Sequence, residues 1–130
     1  MITSTTYVEN VLRTESPVTR EMIERFSNPE NIRLLHAGMG MVTEAGEFID
    51  MLKKHLFYGK PLDKVNLAEE VGDSEWYCGL AIDILKTTFD EVLTTNIKKL
   101  QARYPEKFTE HHAENRDLKT ERKILEGETV

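Results

Sequence analysis

The sequence contains a single cysteine, Cys78, among 130 residues. The chain therefore cannot form an internal disulfide, and it offers no paired-cysteine metal site of the CxxC kind. Such low cysteine usage is typical of proteins from a reducing compartment, so we expect a cytoplasmic location.

Long apolar runs and clusters of basic residues are also missing. No segment approaches the ~18 consecutive apolar residues of a membrane span, and residues 1–16 lack the basic start and apolar run of a signal peptide. The net charge is -6, and no basic stripe is available to neutralise nucleic-acid phosphates. We therefore expect neither membrane nor duplex binding, and an anionic ligand would need a cation beside it.

Strand signals are absent as well, because no stretch alternates valine and isoleucine with polar residues. Apolar residues at helical spacing instead predict an all-α helical bundle of four to five helices. The predicted helix starts are Ser16-Pro17, Asn28-Pro29, Asn66 with Glu69, and Thr88 with Glu91. A glycine and a proline within residues 58–63 predict the end of the long second helix.

The length fits one domain, residues 1–130, with a core at about 17–108 and a charged helix or tail at 109–130. The first sixteen residues predict at most a short helical turn. The long second helix carries an apolar stripe, and its members are Leu35, Met39, Val42, Ile49, Leu52 and Leu56.

Two acidic pairs stand in lines of small or apolar residues. Glu44 and Glu47 are three residues apart on the long helix, and Glu70 and Asp73 have the same spacing on the next helix. The first pair is in line with Ala37, Gly40, Met51 and Lys54, and the second with Tyr77, Leu80, Ala81 and Ile84. The first line also lies opposite the apolar stripe, so we expect the long helix to be covered on two sides and its acids to face inward.

Four inward carboxylates would repel one another, and each buried unpaired charge would cost several kcal/mol. A shared divalent cation removes that conflict. Oxygen ligands favour Mg²⁺ or Mn²⁺ over zinc, and Mg²⁺ readily shares its ligand sphere with phosphates. One such pair alone is commonly a solvated face. A di-iron site is disfavoured because no glutamate has a histidine three residues later.

The two motifs, EAGE at 44–47 and EVGD at 70–73, together resemble the ExxE and ExxD pattern of the all-α nucleoside triphosphate pyrophosphohydrolases, particularly the MazG-like branch. The later string NIKKLQARYPEKF, residues 96–108, is also similar to the segment that follows in this family. The resemblance spans roughly residues 32 to 108.

The resemblance implies a Mg²⁺-dependent hydrolase that cleaves a (deoxy)nucleoside triphosphate into a monophosphate and pyrophosphate, for nucleotide-pool control or housecleaning. It makes Glu44, Glu47, Glu70 and Asp73 the metal ligands, with Mn²⁺ as a substitute ion. One carboxylate, Glu47 or else Glu44, would accept the proton of the attacking water. The family also implies a homodimer or homotetramer whose helices complete the site.

Six further residues are candidate substrate contacts: Lys54, Asn96, Lys99, Arg103, Tyr77 and His36. Structural alternatives accompany some of them. Lys54 could instead pair with Asp50, four residues earlier on the same helix. Tyr77 could be a core aromatic, and His36, which lies beside leucines, could be structural.

Two other functions fit the same motifs. The acidic pairs could hold a structural ion in a non-catalytic helical interaction protein. The same site could also hydrolyse a signalling nucleotide such as an alarmone. Turnover measured with Mg²⁺ over a panel of nucleotides separates these three readings.

Overall fold

A computed structural model describes residues 3–128, and within that range the chain folds into seven α-helices without any strand. The helices are α1 (Ser4–Thr14), α2 (Arg20–Phe26), α3 (Pro29–Tyr58), α4 (Lys64–Leu85), α5 (Phe89–Arg103), α6 (Glu110–Glu114) and α7 (Leu118–Leu125). The predicted all-α class is confirmed. The described helices outnumber the expected four to five because the N-terminal segment forms α1 and the charged C-terminal segment forms two short helices. Residues 1, 2, 129 and 130 of the predicted domain lie outside the described residues.

Two of the four predicted helix starts are confirmed. The side-chain oxygen of Asn28 accepts hydrogen bonds from the backbone N–H groups of Glu30 and Asn31, which caps α3. Thr88 and Glu91 form a reciprocal capping box at the start of α5. These side chains satisfy backbone donors that have no partner within the helix.

At the other two starts, the predicted N-cap residue is wrong. The N-cap of α2 is Thr19 instead of Ser16, and the N-cap of α4 is Asp63 instead of Asn66. The carboxylate of Asp63 accepts two backbone N–H groups of the first turn, and an ionised acceptor makes stronger bonds than a neutral amide. Because Asp63 already caps the helix, the side chain of Asn66 does not perform that role.

Helices α3 and α4 form an antiparallel hairpin that holds most of the packing between helices. Gly59 ends α3 in the left-handed region with φ 66°, which favours glycine and reverses the chain. At the far end of the hairpin, the Arg33 guanidinium donates to the Asp83 carboxylate at 2.6 Å, and this contact holds the pKa of Asp83 below its ordinary value. The acidic pairs of the two helices therefore face each other near the middle.

The closest approach of the hairpin is at Gly40, which is buried beneath the ring of Tyr77. A Cβ atom at position 40 would overlap that ring, whereas a Cβ at Gly38 would have no neighbour within 4 Å. Only glycine therefore permits this packing of α4 on α3.

We expect Gly40→Ala to lower the free energy of unfolding by about 1–3 kcal/mol, because the added methyl group must displace the Tyr77 ring. The matched control is Gly38→Ala on the same helix, which we expect to be neutral or stabilising by up to ~1 kcal/mol through helix propensity. Chemical denaturation of the three proteins measures both effects. Equal stability of the two variants would contradict the close approach.

Few side chains of the described residues are buried. Ala37, Gly40, Ile84 and Glu121 are the buried ones, and most large apolar residues are exposed. The large exposed apolar and aromatic residues of α3 are Ile32, Leu35, Met39, Val42, Ile49, Leu56, Phe57 and Tyr58. The accessible surface is 10785 Å², about half as much again as the roughly 7,000 Å² of a compact monomer of this mass. The stripe predicted from the sequence is thus present on α3, and the chain itself leaves all of it exposed except Leu52, which is half-buried.

The part of the chain after α4 is built around α5, against which α7 packs. Glu121 of α7 is the buried charged residue named above, and it joins the two helices by ion pairs to Arg103 and Arg116. Within residues 3–128, no helix has the length and apolar content that crossing a membrane requires.

Candidate metal centre

Three carboxylates converge between α3 and α4. Glu44 and Glu47 come from adjacent turns of α3, Glu70 comes from α4, and one oxygen from each lies within 4.8 Å of the others. The i,i+3 spacing places the first two on one face, and the antiparallel hairpin brings the third opposite them. Two helices therefore direct three acidic groups at one point.

This convergence changes the electrostatics of Glu70. Partial burial raises its pKa above the ordinary value, and the neighbouring carboxylates of Glu47, Glu44 and Asp73 raise it further. All of these effects disfavour the charged form of Glu70.

The donor set fits a hard divalent cation. The three converging ligands are carboxylate oxygens without histidine or cysteine, which favours Mg²⁺ or Mn²⁺ over zinc. Two oxygens on one Mg²⁺ lie at most about 4.2 Å apart, so small side-chain rotations would bring these three into range. A cation at this point would relieve the repulsion that raises the pKa of Glu70.

Asp73 stands one turn beyond Glu70 on α4 and is exposed. Its negative charge contributes to the raised pKa of Glu70. It is not part of the tight three-oxygen group. The structure thus brings three of the four predicted ligands into one cluster and holds the fourth beside it.

An open cleft of about 460 Å³ adjoins the carboxylates. Its lining residues are Thr43, Gly46, Glu47, Asp50, Met51, Lys54, Asn66 and Glu70. The ammonium of Lys54 pairs with Asp50 at 2.7 Å, as in the structural alternative considered for this lysine, and Lys53 pairs with the same carboxylate. These two lysines lower the pKa of Asp50 to about 2. Lys54 therefore lies in the cleft but is held by an acid of its own helix.

An aromatic group lies on the other side of the carboxylates, towards the start of α3. The ring of Tyr77 packs edge-on against His36 at 5.6 Å and against Trp76 at 5.0 Å between centroids. Trp76 is exposed, whereas Tyr77 is half-buried over Gly40. The two predicted contacts His36 and Tyr77 therefore lie together, on the hairpin that carries the acids.

The three predicted contacts on α5 lie near α7 instead, with Asn96 exposed. Asn96 lines a cleft with Leu125 and Gly127, and Lys99 is half-buried. Arg103 donates two hydrogen bonds to Glu121, at 2.8 and 2.6 Å. This region differs from the carboxylate cleft in every lining residue.

Sequence reasoning missed Thr43 and Asn66 as residues of the carboxylate cleft. Thr43 lies four residues before Glu47 and seven before Asp50, so its helical face was readable from the sequence. Asn66 lies one turn before Glu70, but it was interpreted from the sequence as a capping residue and so was not considered for the cleft. Glu121 was missed as well, and no local pattern distinguishes it within a highly charged segment.

Comparison with known proteins finds a family match, which covers the middle portion of the chain. No curated protein and no solved structure shows a significant match. The family described as the MazG nucleotide pyrophosphohydrolase domain matches residues 35–108, which is more than half of the chain and includes both acidic motifs. The chain therefore belongs to the MazG nucleotide pyrophosphohydrolase family.

Proposed function

We propose that this chain hydrolyses nucleoside triphosphates between the α and β phosphates, releasing a nucleoside monophosphate and pyrophosphate. The observation that carries the proposal is the convergence of Glu44, Glu47 and Glu70 from two helices, inside the segment that matches the family. Control of the nucleotide pool, or removal of unwanted triphosphates, is the role this activity would serve. A cytoplasmic location stays a prediction from the low cysteine content.

Glu44, Glu47, Glu70 and Asp73 are the proposed ligands of Mg²⁺, with Mn²⁺ as a substitute. When bound, the ion would offset the triphosphate charge and make a water molecule more acidic. The carboxylates in turn determine where the triphosphate can bind. They repel an anion everywhere except at the bound cation. Without the ion, the same acids would exclude the substrate.

Glu47 is the proposed acceptor of the proton from the attacking water, with Glu44 as the second candidate. Glu47 is exposed and lines the open cleft, whereas Glu44 is half-buried. A base must reach both solvent and substrate, so the exposure of Glu47 favours it. In this proposal, Lys54 leaves Asp50 to contact a phosphate group when substrate binds.

Tyr77 and His36 are the proposed contacts to the nucleoside. They lie on the hairpin beside the acids, and an aromatic ring can stack on a base. Asn96, Lys99 and Arg103 are proposed contacts too, though they belong to the α5 region and would act from a different surface.

The proposed assembly is a homodimer or homotetramer formed through the apolar stripe of α3. Five of the six residues of the stripe are exposed in the single chain, and Leu52 is half-buried; the exposed ones are Leu35, Met39, Val42, Ile49 and Leu56. A second copy presents the same stripe, so one two-fold contact can cover both. The surplus accessible surface noted above exceeds the roughly 1,000–2,500 Å² that each partner of an obligate interface buries, so it leaves ample surface for such a contact.

The test is the identity of the products. With Mg²⁺ and a panel of ribo- and deoxynucleoside triphosphates, ³¹P NMR is expected to show pyrophosphate and monophosphate in equal amounts, and EDTA is expected to stop the reaction. Release of inorganic phosphate and a diphosphate would contradict the proposed bond. Turnover of an alarmone alone would assign the site to a signalling nucleotide. Loss of thermal stability in EDTA without any turnover would favour a structural ion.

A further inference from the structure

The C-terminal helix α7 binds α5 through a buried carboxylate. Glu121 is 5% exposed and accepts hydrogen bonds from two arginines, Arg103 of α5 and Arg116 of the segment before α7. Both guanidiniums bind in the two-pronged manner typical of carboxylate and phosphate recognition. Arg103 is itself only 15% exposed. We call these three residues the Glu121 cluster.

Apart from the Glu121 cluster, α7 buries little apolar surface. The helix has eight residues, which is too few to be stable alone in water. Its apolar residues Leu118 and Leu125 are exposed, and Ile124 is half-buried. The attachment of α7 therefore depends mainly on the Glu121 cluster, because little apolar surface holds the helix in place.

Helix α7 packs against the face of α5 that carries Lys99 and Arg103, while Asn96, further along the same face, is exposed. Arg103 is held by Glu121 at one end of this face, and Asn96 shares a cleft of about 570 Å³ with the last residues of α7 at the other. Lys99 lies between them at helical spacing and is half-buried, whereas its neighbour Lys98 is exposed. The α7 helix lies beyond residues 35–108, so it is an addition to the matched family segment.

Without α7, this face would present an amide, an ammonium and a guanidinium in a row. Such a row suits a phosphorylated ligand, since a phosphate group can take the two-pronged hydrogen bonds that a carboxylate takes. The Glu121 carboxylate occupies the guanidinium that a phosphate would need. Substrate and Glu121 cannot both bind Arg103 in the same way.

We propose that α7 is a detachable inhibitory cover, in which Glu121 takes the place of a phosphate on Arg103 and keeps the α5 face from anionic ligands. The identity of that ligand as a nucleoside triphosphate rests on the proposed function. The inhibitory contact itself does not rest on the proposed function, because Glu121 would compete with any pyrophosphate-like anion for Arg103.

Amine labelling followed by peptide mass spectrometry tests the cover in the full chain. We expect Lys99 to react slowly in the wild type and several-fold faster in Glu121→Gln, while Lys98 reacts at the same rate in both. The matched control is Arg122→Gln, which breaks the exposed Arg122–Glu126 ion pair from within α7 and is expected to change neither rate. Fast Lys99 labelling in the wild type, or no change in Glu121→Gln, would overturn the cover.

Binding of inorganic pyrophosphate, measured by calorimetry in EDTA to silence the carboxylate centre, tests the competition. Glu121→Gln is expected to bind it about tenfold more tightly than wild type, because a competing carboxylate has been removed. Unchanged or weaker binding would refute the competition. If Glu121→Gln fails to fold by circular dichroism, Arg116→Gln weakens the same cluster, and Lys99 labelling is expected to rise by a smaller factor; no rise would overturn the proposal. Neither readout requires turnover, so each stands even if the proposed activity is wrong.

Discussion

Glu70→Gln is expected to lower the turnover number for nucleoside triphosphates by about 100-fold or more, because it removes one of the converging metal ligands. The substitution keeps the size of the side chain and one oxygen, so its effect reports on charge. The matched control is Glu69→Gln, which changes the adjacent residue on a different face of α4. We expect the control to retain nearly full activity, measured as pyrophosphate release with Mg²⁺.

The melting temperature of Glu70→Gln, with and without Mg²⁺, tests whether Glu70 acts as a metal ligand or affects activity in another way. Glu70 carries a raised pKa because it is partly buried and stands beside other carboxylates. In EDTA, Glu70→Gln should therefore melt at a higher temperature than wild type, since a repulsive charge is gone. With Mg²⁺ present, the wild type should gain stability and the variant little. A variant less stable than wild type in EDTA would contradict the proposed repulsion.

Val42→Asp is expected to weaken self-association by about 100-fold or more, because a charge would be buried in the proposed contact between α3 stripes. Val42 is 72% exposed in the single chain. In a monomer, a substitution at so exposed a site would have almost no effect. Sedimentation velocity over a range of concentrations measures the change directly.

The control for this experiment is Val65→Asp. Val65 is 78% exposed and lies in the first turn of α4, outside the stripe, where a negative charge suits the helix dipole. We expect this variant to associate as the wild type does. A monomeric wild type, or equal association of both variants, would refute the stripe as an interface.

The helical class and the long hairpin follow from patterns that act locally. Asn28 and Thr88 cap their helices because each side chain meets backbone donors within three residues, and Gly59 ends α3 in a conformation that suits glycine. Ser16 and Asn66 were wrong as N-cap residues because Thr19 and Asp63 lie close by and compete for the same backbone donors. The local sequence identifies residues that can cap a helix, but it does not show which of several nearby candidates does so.

The candidate site was predictable to the extent that it depends on helical spacing. Glu44 and Glu47 share a face for geometric reasons, and the pairing of α3 with α4 brings Glu70 to them. The placement of Asn96, Lys99 and Arg103 was not accessible in this way. It depends on α7, whose attachment rests on Glu121, one acid among many in a charged segment.

The apolar stripe of α3 illustrates a further limit. Periodicity predicts that Val42 and Ile49 share a face, and the structure has them so, yet both are exposed. A pattern of apolar residues shows that a face avoids water without identifying what covers it. For this chain, the covering surface is proposed to be a second copy.

Binding of Mn²⁺, followed by electron paramagnetic resonance in the absence of nucleotide, tests the central claim most directly. The account predicts that wild type and Glu69→Gln bind the ion with similar affinity, and that Glu70→Gln binds it at least ~10-fold more weakly. Equal Mn²⁺ affinity in all three proteins would contradict a cation shared by the carboxylates of α3 and α4.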